Sequence, residues 1–250
     1  MFKNFFVFVI LGAAMFSCGA STNSVNPSLS EIPAEYIAPD VLPLLSQENQ
    51  ALFNESERSS KSLPADSEFL VFIVDTSGSM FNNPSWNKML DTIESTMALY
   101  PDLTGIQIVN DMGDYVLSRF GSEWIPNTET HRENLLATLH NWNPYSNSSP
   151  IEGLNEVFNS LAESNQQISI YVIGDDLQNA EISIDSVLAE IIELNTDPAS
   201  GEKLARIHSI AFSTIFMGPE QYRSSADNYV ALMSNVAREN GGSFQLLPYN

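Results

Sequence analysis

The sequence predicts a doubly wound α/β fold, in which a mostly parallel central sheet is flanked by helices and carries one antiparallel edge strand. The continuous apolar run Phe69–Val74 and the mostly apolar run over residues 168–173 are typical of strands buried on both faces. Apolar residues at helical spacing, such as Met89, Ile93 and Met97, lie between such runs. Strands and helices that alternate in this way favour a parallel sheet covered on both sides.

The alternation continues from residue 68 to the end of the chain. Residues 105–109 and 115–120 flank a turn-like run that contains Asp111 and Asp114, so they predict a hairpin with these two acids in its turn. The other predicted helices cover 88–100, 132–142, 151–164, Ile184–Leu194 and 226–240, and the other predicted strands cover 207–215 and 243–247. In such folds ligands bind beyond the carboxyl ends of the strands, so the residues that follow each strand are candidate site residues.

Composition excludes several classes of protein. The chain has 250 residues, 43% of them hydrophobic, with 14 Phe, 8 Tyr and 3 Trp, which is too many aromatic residues for a wholly disordered chain. Its 31 acidic and 10 basic residues give a formal net charge of -21, which argues against a nucleic-acid partner. A single cysteine excludes a disulfide framework and a cysteine-based zinc site.

The first seventeen residues have the layout of a signal peptide. Lys3 precedes an apolar run over residues 5–16, which is shorter than the roughly 20 residues that span a bilayer. The run ends at Cys18, although Met15 and Phe16 depart from the usual residues before such a cysteine. The arrangement resembles a bacterial lipoprotein signal, in which the cysteine becomes the lipidated first residue, and an ordinary secretory signal is the alternative.

This resemblance implies a protein held in the bacterial cell envelope by a lipid on Cys18, with the outer membrane as the expected location. Residues 18–66 are rich in Ser, Asn, Pro and Glu and predict a flexible tether. Residues 67–250 are then the folded domain, and the membrane is contacted through the anchor alone.

Oxygen-bearing side chains follow the first apolar strand. Asp75, Ser77 and Ser79 alternate in a loop that leads into a helix, and hard oxygen ligands of this kind are the ones that Mg²⁺ prefers. The alternative is that they only cap the helix. An Asp-x-Ser-x-Ser run after a buried strand resembles the metal-ion-dependent adhesion site (MIDAS) of von Willebrand factor type A (vWA) domains, whose fold is Rossmann-like.

Two further loops of the family pattern have counterparts in this chain. Ser148 stands where the family has a Thr, five positions before a small residue, and Ser149 is the alternative. Asp175 follows the strand at 168–173, where the family has an Asp within Thr-Asp-Gly. Here Gly174 replaces the Thr and Asp176 replaces the Gly. The resemblance covers about residues 67–250.

The resemblance implies binding rather than catalysis. Ser77 and Ser79 would ligate Mg²⁺ directly, with Mn²⁺ and Ca²⁺ as alternative ions, and Ser148 would ligate it directly or through one water. Asp75 and Asp175 would act mainly through bound waters. An open coordination position would then accept an Asp or Glu carboxylate from a protein partner, in cell adhesion or in the assembly of an envelope complex.

Three residues near these loops are candidates for the rim of the ligand-binding face, namely Trp142, Tyr145 and Asp176. Asp176 adds negative charge close to the proposed metal. We therefore expect Asp176→Gly to tighten the binding of an acidic ligand, and an unchanged affinity would count against this role.

The main alternative is a scaffold or regulatory domain that binds its partner independently of metal. An enzyme is not expected, because the chain has no Gly-x-Ser-x-Gly elbow, no His-Glu-x-x-His and no phosphate-binding glycine loop with Lys. A metal-dependent phosphoryl hydrolase is the remote alternative, since an acid after a parallel strand can be a nucleophile. Such enzymes usually carry a second acid two residues later, where this chain has Ser77.

Overall fold

The computed structural model describes residues 31–53, 62–81, 85–100, 102–142, 145–146, 148–162, 165–177 and 183–248. The strands are β1 Glu31–Pro33, β2 Glu35–Ile37, β3 Ser62–Pro64, β4 Phe69–Val74, β5 Gly105–Asn110, β6 Ile125–Pro126, β7 Ile168–Gly174, β8 Ala205–Phe212 and β9 Gly241–Leu247. The helices are α1 Gln47–Phe53, α2 Gly78–Phe81, α3 Ser85–Ala98, α4 Glu129–His140, α5 Pro150–Ser160, α6 Ile184–Leu194 and α7 Arg223–Glu239.

Seven of these strands form one sheet in the order β2-β9-β8-β7-β4-β5-β6, which is parallel except for β6. Leu70, Phe72 and Val74 face a core that is completed by α3 and α4. Val71 and Ile73 face a second core, completed by α5, α6 and α7. Apolar residues are needed on both faces of β4 because helices cover both. The predicted doubly wound fold with an antiparallel edge strand is confirmed.

The antiparallel strand lies at a different place from the predicted hairpin. Tyr115 makes only an isolated antiparallel bridge with Val109, and the chain then leaves the sheet in turns. The strand expected over residues 115–120 is therefore wrong, and the edge strand is β6, paired with Gly105 and Ile106. The side-chain amide of Gln107 donates to the carbonyls of Gly121 and Glu123 at 3.1 and 2.8 Å, which stabilises these turns in place of a strand.

Part of the predicted tether is packed on the domain. β2 pairs with β9 as a parallel edge strand, and the Ala38 N–H donates to the Leu246 carbonyl at 2.9 Å. The Asn49 side chain in α1 donates to the Asp227 carboxylate at 2.9 Å. Residues 31–53 thus join the domain that the sequence places at 67–250, because Ala38, Val41 and Leu45 are apolar enough to be buried in its core.

The N-terminal predictions concern residues that the structure does not cover. The signal peptide at 1–17 and the lipidation site Cys18 lie outside the described residues. Among the helices in the described ranges, none has the length and apolar character needed to cross a bilayer.

One edge of the sheet collects the carboxyl ends of β4, β5, β7 and β8, because these strands are mutually parallel. β5 lies on one side of β4 and β7 on the other, so the chain changes its winding direction there. A crevice outside the carboxyl ends at such a point is where open α/β sheets bind ligands. We refer to this edge as the site edge.

Candidate metal centre

The loop after β4 places its side chains at the site edge. The Asp75 N–H donates to the Ile173 carbonyl at 2.8 Å, which extends the pairing of β4 with β7 by one residue. The loop then curls, and the Ser77 N–H donates to Asp75 Oδ1 at 2.7 Å. The hydroxyls of Ser77 and Ser79 come within 2.9 Å of each other. The three residues predicted from the Asp-x-Ser-x-Ser run therefore converge.

The loop after β7 brings two more acids to the same place. The Ser79 hydroxyl donates to Asp175 Oδ1 at 3.0 Å, so the two loops are joined by a direct hydrogen bond. Carboxylate oxygens of Asp75, Asp175 and Asp176 all lie within 4.8 Å of one another. We call these three groups the carboxylate cluster. Asp75 is 4% exposed and Asp175 is 1% exposed, so most of the cluster is shielded from water.

The carboxylate cluster holds protons more tightly than isolated carboxylates do. Burial raises the pKa of Asp75 well above its usual range, and the neighbouring charges of Asp175 and Asp111 raise it further. Burial raises the pKa of Asp175 to about 7, with a further contribution from Asp176. Burial also raises the pKa of Asp176. A bound cation would reverse these shifts and release protons, because it favours the ionised carboxylates.

Gly174, which stands where the vWA pattern has Thr, is explained by a close approach. A Cβ atom at this position would lie 2.8 Å from Tyr229 Oη and 3.1 Å from Asp75 Cβ. Tyr229, from α7, fills the space that a threonine side chain would need. Glycine thus replaces threonine here because Tyr229 packs against the start of the loop after β7. Asp175 still lies at the site edge.

We expect Gly174→Ala to destabilise the protein by about 1–3 kcal/mol, because the added methyl group has no room. Tyr229→Phe removes the atom in closest contact, so the double variant should recover part of the loss. Urea unfolding of the two single variants and the double variant gives the coupling energy. Strictly additive losses would show that this contact does not explain the glycine.

The loop before α5 turns Ser148 toward the carboxylate cluster. Ser148 has φ of 52°, and the other positive φ values in the described chain belong to glycines. Its side chain lies close enough to Asp176 to lower the pKa of that carboxyl group. The Ser149 N–H instead donates to Asp111 Oδ2 at 3.0 Å, and the Ser149 hydroxyl donates to Glu152 in the first turn of α5. The two serines left open by the sequence thus have different surroundings, and Ser148 is the one whose hydroxyl meets the cluster.

Replacing Ser148 by glycine separates backbone strain from the role of the hydroxyl. Relief of the left-handed conformation, worth about 1 kcal/mol, is offset by the greater freedom of glycine in the unfolded chain. We therefore expect stability within about 0.5 kcal/mol of wild type and a roughly tenfold loss of Mg²⁺ affinity, measured by calorimetric titration. Ser149→Gly is the matched control. The opposite pattern between the two variants would make Ser149 the ligand.

Asp111 and Ser146 belong to this site, although the sequence analysis did not place them there. Asp111, taken as a hairpin residue, is 2% exposed and accepts from the Thr76 N–H at 3.3 Å. The Ser146 hydroxyl donates to Asp75 Oδ1 at 3.4 Å and accepts from the Thr76 N–H at 3.2 Å. Asp111 follows directly after β5, so the rule that singled out Asp75 and Asp175 could have found it.

The oxygen atoms of the site fit a divalent cation. Adjacent ligands of an octahedral Mg²⁺ ion, at about 2.1 Å from the metal, are about 3 Å apart. The oxygen pairs Ser77–Ser79 and Ser79–Asp175 are 2.9 and 3.0 Å apart. Asp75 Oδ2, Asp175 Oδ2 and Asp176 Oδ1 are buried without a hydrogen-bond partner. In the described ranges, no salt bridge joins the cluster to Lys or Arg. Because unpaired buried carboxylates are costly, a cation would be stabilised here.

Comparison with known proteins identifies the fold of the chain but not its function. No protein-family model matches the sequence, and no curated protein matches it. Among solved structures, the chain is similar to a von Willebrand factor type A protein from Catenulispora acidiphila, with a TM-score of 0.50 and 13% identity. The match covers 74% of this chain and 39% of that one.

The chain has a vWA-like fold. This follows from the Catenulispora match together with the strand order and the helices on both faces. Weaker similarities, with TM-scores of 0.45 and 0.44, connect the vWA-like domain to an aerotolerance-related membrane protein from Bacteroides fragilis and to proximal thread matrix protein 1 of the mussel byssus. The Bacteroides match has 13% identity and covers 72% of this chain and 90% of that one. The mussel match has 14% identity and covers 72% of this chain and 41% of that one. The vWA-like domain spans about two-fifths of the Catenulispora protein.

The face around the site edge of the vWA-like domain carries exposed apolar side chains. Tyr145, predicted as a rim residue, is 76% exposed, and Met112 and Met217 in the loops after β5 and β8 are 46% and 64% exposed. Trp142 is half-buried and packs against the core on the α3 side, so it contributes packing as well as surface. Apolar side chains exposed beside a polar site are typical of a binding surface.

Proposed function

We propose that the chain binds a protein partner through a divalent cation held at the site edge. The observation that carries the proposal is the carboxylate cluster beside two mutually hydrogen-bonded serines, with buried carboxylate oxygens that lack any partner. A cation, together with the waters bound to it, would satisfy these atoms, which bulk solvent barely reaches. The ion proposed is Mg²⁺, with Mn²⁺ or Ca²⁺ as alternatives.

The proposed ligands divide into hydroxyls and carboxylates. Ser77, Ser79 and Ser148 would offer neutral oxygens to the metal, while Asp75 and Asp175 would hold it through waters and through the hydrogen bonds that fix the serines. Neutral ligands leave the ion electrophilic, so it can attract an Asp or Glu carboxylate of the partner. No bond is made or broken in this function, and a binding domain is therefore proposed in preference to an enzyme.

The net charge of -21 makes the cation essential to this mechanism. A strongly negative surface repels an acidic partner at long range. The metal would supply the local attraction, and apolar contacts with Tyr145, Met112 and Met217 would add to the affinity without a charge penalty.

The proposed setting is the bacterial cell envelope. A lipid on Cys18 would anchor the chain, most simply in the outer membrane, and the residues between Cys18 and β1 would act as the tether. Binding at a membrane surface suits either adhesion or the assembly of an envelope complex. Metabolic labelling with a lipid precursor, compared between wild type and Cys18→Ala, tests the anchor separately from the metal site.

The experiment that tests the proposed function is capture of partners from envelope extracts with and without EDTA. The bait is the full chain, as wild type or as Ser77→Ala/Ser79→Ala. A partner that is lost in EDTA and with the double variant supports binding through the metal. A specific partner retained under both conditions would contradict it.

A scaffold that binds its partner away from the metal is the second candidate, because the structure offers a separate groove. This groove, of ≈ 440 Å³, lies between α3 and α4 and is lined by two apolar, three acidic, one basic and one amide side chain, namely Met97, Leu136, Glu94, Glu129, Glu133, Arg132 and Asn127. Because acids outnumber the single Arg in this lining, with apolar side chains between them, the groove favours a basic amphipathic segment. Capture that resists EDTA but fails with Glu129→Lys/Glu133→Lys would favour this function.

A further inference from the structure

Asp176 holds a position that the proposed function does not assign. It stands where the vWA pattern has Gly, and its carboxylate lies in the carboxylate cluster with Asp75 and Asp175. Asp176 Oδ1 is buried and has no hydrogen-bond partner. The side chain of Ser148, from the opposite loop, lies beside this carboxylate.

The cluster is more than a group of acids on a surface. Asp75 and Asp175 are at least nine-tenths buried, and each has one oxygen without a partner. Three carboxylates within 4.8 Å carry more negative charge than one divalent ion can neutralise. If Asp75 and Asp175 act through waters, a direct bond from Asp176 to the ion takes the position that would otherwise remain open.

A carboxylate of the chain itself binds the metal more readily than a carboxylate of a partner does. Asp176 is tethered at the site by the backbone that follows β7, so its effective concentration there is in the millimolar range or above. A partner carboxylate must compete with it and also lose translational freedom.

We infer that Asp176 is an intramolecular metal ligand that occupies the coordination position a partner carboxylate would take. The inference rests on the proposed metal binding and deepens it. The chain ligates its own metal when no partner is bound, and a partner binds by displacing Asp176 from the metal. Partner binding is then weaker and more readily reversed than at a site with an open position.

The test counts the waters bound to the metal and needs no identified partner. The full chain is titrated with Tb³⁺, which takes oxygen ligands as Ca²⁺ does, and luminescence lifetimes in H₂O and D₂O give the number of bound waters. Wild type is compared with Asp176→Ala and with Asp102→Ala, an exposed acid near the amino end of β5 that serves as the matched control. Thermal unfolding checks that all three are folded.

We expect Asp176→Ala to gain about one bound water and to lose roughly tenfold in Tb³⁺ affinity, with Asp102→Ala unchanged. Acetate at millimolar concentration should remove the extra water from Asp176→Ala and leave wild type unaffected. An equal water count in wild type and Asp176→Ala would overturn the inference while metal binding stands. Absence of Tb³⁺ binding by wild type would overturn the proposed function itself.

Discussion

Replacing Asp175 by asparagine is expected to stabilise the metal-free protein by about 2–4 kcal/mol at about pH 8. The reason is that burial raises the pKa of Asp175 to about 7, so its ionised form is disfavoured in the folded state. Asparagine removes the charge and keeps the shape, and it can still accept the hydrogen bond from Ser79. Urea unfolding in EDTA measures the difference.

The pH dependence of this effect has a definite sign. An unfolded Asp titrates near pH 3.9, so between about pH 4 and 7 the folded protein binds more protons than the unfolded chain does. The free energy of unfolding of wild type in EDTA therefore falls as the pH rises through this window, and the gain from Asp175→Asn grows with it. Asp102→Asn, an exposed control, should change stability by less than about 0.5 kcal/mol.

Bound metal should make wild type more stable than Asp175→Asn, the reverse of their order in EDTA. Saturating Mg²⁺ stabilises whatever binds it in the folded state, and wild type should gain more than Asp175→Asn because its carboxylates are ionised by the metal. A loss of stability for Asp175→Asn in EDTA at about pH 8 would show that the carboxylate is satisfied without a cation.

A large loss of metal affinity is expected for Ser77→Ala/Ser79→Ala. Removing both hydroxyls takes away two neighbouring oxygens of the site, and we expect the affinity for Mn²⁺ to fall at least about 100-fold, measured by the electron paramagnetic resonance of the free ion. The fold should remain, because Ser77 lies in the loop after β4 and Ser79 in the short helix α2, and neither side chain belongs to a hydrophobic core.

A matched control for this double variant lies at the start of α6. Ser183 and Ser186 are exposed, and their hydroxyls hydrogen-bond to each other at 3.0 Å, as those of Ser77 and Ser79 do at 2.9 Å. Ser183→Ala/Ser186→Ala should lose about 1 kcal/mol of stability with its helix cap, with no change in Mn²⁺ affinity. Equal losses of affinity in both double variants would mean that the ion does not bind at the serines of the site edge.

The fold and the principal site loops could be predicted because they depend on local patterns. β4 is a continuous apolar run and β7 is mostly apolar, and polar residues that follow such strands meet at one edge of a parallel sheet. Asp111 was misplaced since a turn-like run between two apolar segments also fits a hairpin. The turn is present, but residues 115–120 after it form no strand, and it positions Asp111 beside Thr76.

Other features depend on contacts that are distant in sequence. β2 has three residues, too few for a periodic signal, and it becomes a strand only because β9 offers it an unpaired edge. The need for Gly174 arises from Tyr229, 55 residues later in the chain by their numbers. The left-handed backbone at Ser148 is imposed by the loop around it, since serine has no preference for that conformation.

Binding of a divalent cation at the site edge is tested most directly by locating Mn²⁺ in crystals of the protein from its anomalous scattering. We expect one strong peak at the site edge, within coordination distance of the hydroxyls of Ser77 and Ser79 and next to the carboxylate cluster. A fully occupied ion elsewhere with no density at this place, in crystals grown above the pKa of Asp175, would contradict this expectation.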